Sequence, residues 1–164
     1  MACGLSLAMG GAVSAQEDGD ARAVYDRLYG DAIEAARSTS TGEDDLALAG
    51  QMLDAARMSS QAQRPSAELV EMLSVGAYDL AYRQDGGLGR AVEAMRLRAE
   101  VRPALAIDSS ERIVAAYQQH LGRSDPEARA RIGESMIDEL QRIIDLAERR
   151  YRAVAEWVQR EASE

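Results

Sequence analysis

From Val24 onward, apolar residues recur every three or four positions, the spacing that lines one face of an α-helix. The first helix is expected over about residues 20–37, with Val24, Leu28, Ala32 and Ala35/Ala36 as its stripe and Tyr25 and Tyr29 one turn apart beside it. Gly30 is its weak point, costing up to about 1 kcal/mol relative to alanine. Ser38-Thr39-Ser40-Thr41-Gly42 then interrupts the pattern. Thr41, followed by Glu43 and Asp44, starts a second helix with the stripe Leu46, Ala49, Met52/Leu53 and Ala56. Gln61 to Pro65 ends it, and Ser66 caps a third helix bearing Leu69, Met72/Leu73, Gly76/Ala77 and Leu80/Ala81.

Gln84-Asp85-Gly86-Gly87-Leu88-Gly89 is a turn. It follows a helix, whose C-terminal carbonyls repel phosphate, and it lacks the lysine and hydroxyl residue of a phosphate loop. A fourth helix carries Leu88, Ala91/Val92, Met95 and Ala99 and stops at Pro103. Asp108-Ser109-Ser110-Glu111 reads as a capping box that opens a fifth helix, with Ile113/Val114, Tyr117 and His120/Leu121 before Gly122. Asp125-Pro126-Glu127 is a cap, a proline and an acid, and it starts a last helix running to about residue 159. That helix is about 50 Å long at 1.5 Å per residue. Ile132, Met136, Leu140, Ile143, Ala147, Tyr151, Val154 and Val158 form its seam, widened by Ile137 and Ile144. The expectation is that the first half packs on the preceding helices and the second half is available to a partner.

The fold class is therefore all-α, with short antiparallel helical hairpins over residues 16–124 and a long amphipathic helix over 125–164 packing on them. Composition agrees. The 164 residues are 46% apolar, rich in alanine, leucine and arginine and poor in aromatic and β-branched side chains. Lysine, asparagine and phenylalanine are absent, as coding bias in a GC-rich bacterial genome would leave them. The formal net charge is −9 and the arginines are interspersed with acids, so the clustered positive footprint of a nucleic-acid binder is missing. Arg149-Arg150-Tyr151-Arg152 lies beside Glu148 and Glu156 and reads as a solvated face with helical ion pairs.

Ahead of the helical pattern, residues 2–15 carry no charge, and they end in Val13-Ser14-Ala15 just before Gln16-Glu17-Asp18. This apolar run is too short to span a bilayer, and its small-x-small ending suits signal peptidase. Residues 1–15 are accordingly expected to be a signal peptide, although no basic residue precedes the run. Cys3 comes before the apolar stretch, opposite to the order of a lipoprotein signal. Export implies a periplasmic or extracellular mature chain without cysteine, without disulfides and without an integral membrane span.

The segment 72–105 resembles a tetratricopeptide repeat, a motif of about 34 residues. Tyr82 falls at the helix-A tyrosine, Ala91 at the small residue between the helices and Pro103 at the closing proline, while Met95 replaces the usual aromatic. Asp79 stands where glycine or alanine is expected, and Arg98 where a second alanine belongs. The helix from Glu43 to Arg57 resembles half of a preceding unit. The resemblance covers about a fifth of the chain and implies partner binding through an inner groove lined by the first helix of each unit.

Candidate chemistry is sparse. His120 is the sole histidine, and its neighbours supply no nucleophile or orienting carboxylate. No zinc-ligand set, Glu-x-x-His pair or calcium-loop spacing occurs, so no catalytic residue, metal or cofactor is assigned. The expectation is a non-enzymatic interaction module of the bacterial cell envelope that binds a protein partner or itself. The alternative is a periplasmic protein that binds a small molecule or ion. Tyr78, Tyr82 and Arg83 from the hairpin, with Arg150, Tyr151 and Trp157 from the long helix, are the candidate contact residues. Tyr78 and Tyr82 share a helix face, which suits either a groove wall or the hairpin core.

Overall fold

The computed structural model describes residues 10–38 and 42–163. Its elements are α1 (Gly10–Ser38), α2 (Gly42–Ser60), α3 (Ala67–Ala81), α4 (Leu88–Val101), a 3₁₀ turn (Pro103–Leu105), α5 (Ala106–Leu121) and α6 (Pro126–Glu161), with no strand among the described residues. The all-α class follows directly. Of the expected signal segment, residues 1–9 lie outside the described residues, as do Thr39, Ser40 and Thr41 of the first interruption. The backbone from Gly10 to Ala15 is helical and continues into α1, which begins ten residues earlier than the apolar periodicity indicates.

From α2 onward each helix packs against the next, and α1 lies on α2 and α3. Gln84 Nε2 donates to Asp45 Oδ2 over 2.6 Å, placing the end of α3 beside the start of α2. Arg98 reaches Glu71, placing the end of α4 beside the start of α3. The core is built from Met52, Leu53, Val70, Leu73, Met95 and Ile113, with Tyr117 at its edge. Alanines fill the closest contacts: Ala49, Ala56, Ala77, Ala81, Ala91, Ala94 and Ala116 are all fully buried. Small side chains there bring helix axes together, so a composition rich in alanine and poor in aromatics still closes a dense interior.

Most helix starts follow their signals. The Ser66 hydroxyl accepts from the Leu69 amide at 3.3 Å, and Asp125 accepts from the Ala128 amide at 2.8 Å with Pro126 behind it. Besides α1, the fifth helix departs from its signal. It begins at Ala106, directly after the 3₁₀ turn, with Leu105 at the cap and no side-chain cap bond. Asp108 therefore lies inside the first turn and does not form a capping box. Its carboxylate is drawn to Arg98 instead, a partner 10 residues upstream that no local pattern announces.

The turn between α3 and α4 uses its glycines for geometry. Gly86 has φ +80°, the left-handed region that glycine enters without a Cβ penalty. At Gly87 an added Cβ would press into the Ala81 carbonyl and stand 3.0 Å from the Gln84 carbonyl oxygen. Within α3, Gly76 lets Tyr25 and Met52 close onto the helix: a Cβ there would lie 2.6 Å from the Tyr25 hydroxyl and collide with the Met52 terminal methyl.

The long helix α6 packs on α5 and on no other helix among the described residues. Its 36 residues extend about 54 Å, whereas the 16 of α5 extend about 24 Å. Roughly half of α6 therefore runs past the helix that supports it.

Candidate functional site

Three features of the surface and its underpinnings stand out: an ion-pair network beneath α3–α5, a cleft between α1 and α3, and the free length of α6.

Arg98 is 6% exposed, and both terminal nitrogens of its guanidinium meet acceptors while its buried Nε has none. It bonds the Asp108 carboxylate, the Ser109 hydroxyl at 3.3 Å and Glu71 Oε1 at 3.4 Å. Arg102 Nε lies 3.1 Å from the other Glu71 oxygen, and Arg112 Nε 3.4 Å from Asp108. The Arg98 hydrogen bond, assisted by the charges of Arg98 and Arg112, holds the Asp108 carboxyl below the usual carboxylate range. Arg98, the position departing from the repeat pattern, is thus a structural clamp joining α3, α4 and α5.

The tyrosine pair joins α3 to α5 nearer the other end of α3. Tyr78 and Tyr82 stack with ring centroids 5.0 Å apart and planes 3° from parallel. The Tyr78 hydroxyl donates to the Arg112 carbonyl over 2.9 Å, and the ring is 5% exposed. Burial pushes its pKa up to about 12. Of the two roles open to Tyr78, it fills the core one and offers no free contact surface. Tyr82 is half-buried, with the exposed Arg83 guanidinium 4.9 Å above its ring. His120 is buried, and its Nε2 lies 3.0 Å from the Tyr82 carbonyl oxygen. Opposite a carbonyl, that nitrogen must carry the hydrogen and donate it, so the imidazole anchors the end of α3.

Between α1 and α3 runs a cleft of about 710 Å³. Tyr25 and Ile33 supply the α1 wall, Glu71, Val75 and Asp79 the α3 wall, and Arg83 borders it from the turn after α3. Asp79, the other departure from the repeat pattern, is an exposed acid on this wall. Arg83 borders the cleft; Tyr78 and Tyr82 do not line it.

On α6 the side chains divide into two faces. Ile132 and Met136 pack against the core, Glu139 is 4% exposed, and Ile143 and Leu146 are half-buried. The neighbouring face is open: Ile137 is 65% exposed, Ile144 50%, Tyr151 75%, Trp157 56% and Val158 51%. Tyr151, Trp157 and Arg150 therefore share one exposed stretch of helix, far from Tyr82 and Arg83 in the chain. The sequence seam merged these two faces, because a helix that is apolar over a wide arc does not say which part is covered. In the sequence Glu139 is simply the second acid of Asp138-Glu139, and nothing local marks it or Arg98 as buried.

No group of three or more His, Cys, Asp or Glu side chains that could hold a metal occurs among the described residues. None of the helices among them is long and apolar enough to cross a membrane. No protein-family model, no curated protein and no solved structure matches this chain.

Proposed function

We propose that this chain is a non-enzymatic helical interaction module, exported to the bacterial cell envelope, that binds a protein partner or a further copy of itself. One observation carries the reading. A run of large apolar side chains from Ile137 to Val158 stands in solvent on a helix whose other face is packed only as far as Leu146. Patches of that extent on soluble chains mark association surfaces. The hairpin array supports the long helix in this reading, with the Arg98 clamp and the Tyr78–Tyr82 stack fixing its shape. The export component rests on the uncharged segment 2–15 and its Val13-Ser14-Ala15 ending.

The test is affinity purification of the tagged chain from its native envelope, alongside a Tyr151→Ala, Trp157→Ala double variant. A stoichiometric protein, or untagged copies of the chain, recovered with the wild type and lost with the variant is the expected result. Equal recovery with both would remove the surface from consideration.

The cleft between α1 and α3 favours a second reading, a small-molecule-binding protein. At about 710 Å³ it falls within the 300–1,000 Å³ typical of ligand pockets, and its walls mix apolar side chains such as Ile33, Met72 and Val75 with charged ones such as Glu71, Asp79 and Arg83. A ligand bound only to the folded state would raise the thermal midpoint by mass action, and Val75→Trp would abolish that shift by filling the cleft.

A further inference from the structure

The exposed face of α6 has a period that specifies its occupant. Ile137, Leu140, Ile144, Ala147, Tyr151, Val154 and Val158 succeed one another at spacings of three and four without interruption, which is the a/d pattern of three heptads. All seven are exposed. The pattern does not belong to the packing on α5, because the residues turned that way (Met136, Glu139, Ile143, Leu146) sit at the g and c positions of the same register. Two separate stripes thus share one helix, and only one is covered.

We propose that this stripe pairs with the same segment of a second copy of the chain, forming a two-stranded left-handed coiled coil; the inference rests on the interaction-module reading and names its partner. A strict seven-residue repeat is what keeps a seam facing another helix of the same repeat, through underwinding to 3.5 residues per turn. A globular partner imposes no such period. Three of the four a positions hold β-branched residues, Ile137, Ile144 and Val158, and Leu140 stands at a d position, a distribution that suits two strands. The flanks permit close approach. Gln141, Glu148 and Ala155 occupy e, and Ile143, Arg150 and Trp157 occupy g, so a single acid and a single base border the seam. The area is sufficient as well. With exposures from 43% at Leu140 to 75% at Tyr151, the seam and Trp157 offer on the order of 700 Å² per chain, close to the ~800 Å² per partner of a standard interface.

Trp157 is the only tryptophan and borders the seam, so it reports pairing directly. Sedimentation equilibrium of the full chain should give twice the chain mass at tens of micromolar. Trp157 emission should shift to the red as the sample is diluted through the dissociation constant. Ile144→Glu and Val154→Glu should each weaken dimerisation by on the order of 100-fold or more, since each places an unpaired carboxylate in the seam. Arg142→Glu, on the opposite face at f, should leave the mass unchanged. A wild type that is monomeric at 100 µM or so, with concentration-independent emission, overturns the proposal whatever the variants do. A dimer that survives both seam substitutions overturns it too. A monomer whose stripe captures a different protein refutes the self-pairing and leaves the interaction module standing, whereas a monomer that captures nothing removes both.

Discussion

Arg98 shows how much one buried charge can organise. Its guanidinium holds carboxylates from α3 and α5 while itself sitting on α4. Arg98→Ala should destabilise the fold by about 2–3 kcal/mol in denaturant titration, less than for a fully enclosed pair, because Asp108 keeps half its surface in water. Asp108 adds a pH signature. Its folded-state carboxyl titrates below the unfolded value, so its contribution is complete above about pH 4 and vanishes as pH falls through the folded-state pKa. Asp108→Asn should therefore lower stability at pH 7 and flatten the acid limb of the stability profile. Tyr78 works in the opposite direction. Its hydroxyl titrates near 12 in the folded chain against about 10 unfolded, so its contribution is full below pH 10 and is lost between 10 and 12. Absorbance titration of tyrosinate should lose its latest-ionising component in Tyr78→Phe, and the variant should lose less stability than the wild type across that interval.

At the scale of elements, what the chain announces locally is what can be read from it. Ser66, Asp125 and Pro126 start helices where their side chains predict, because a cap is decided within four residues. Asp108 has the same local credentials yet is claimed by Arg98, a tertiary partner that outweighs a cap of about 1 kcal/mol. Arg98 itself, read from sequence, is one more arginine on an exposed-looking helix. Only the meeting of α3, α4 and α5 turns it inward. The glycine turn makes a sharper case. Gly86 needs its left-handed φ and Gly87 needs its missing Cβ, for different reasons. Gly86→Ala should cost about 1–2 kcal/mol through backbone strain. Gly87→Ala should cost at least as much, since its methyl would meet backbone carbonyls that cannot move without unwinding the end of α3. Thermal unfolding of the two variants and their double measures whether these effects add, as separate mechanisms at neighbouring positions need not.

For the whole molecule, α6 divides into a half supported by α5 and a half that runs free of the other helices. From Ala147 to Glu161 every side chain is exposed except the half-buried Ala155. Those residues add helix without adding core. A chain ending after Glu148 should keep the array: the buried set from Met52 to Tyr117, together with Ile132 and Met136, remains intact. Its unfolding midpoint should match that of the dilute full-length chain within about 2 °C. A chain ending after Arg131 should fall well below both, because removing Ile132 and Met136 uncovers α5, which carries Ile113 and Tyr117 of the core. Concentration completes the comparison. If the free half pairs, the full-length midpoint rises with protein concentration by mass action, whereas the chain ending after Glu148 melts at one temperature throughout. Parallel melting of the two across a hundredfold concentration range would show that the exposed stripe contributes nothing to association, and its heptad would then be a pattern without a partner.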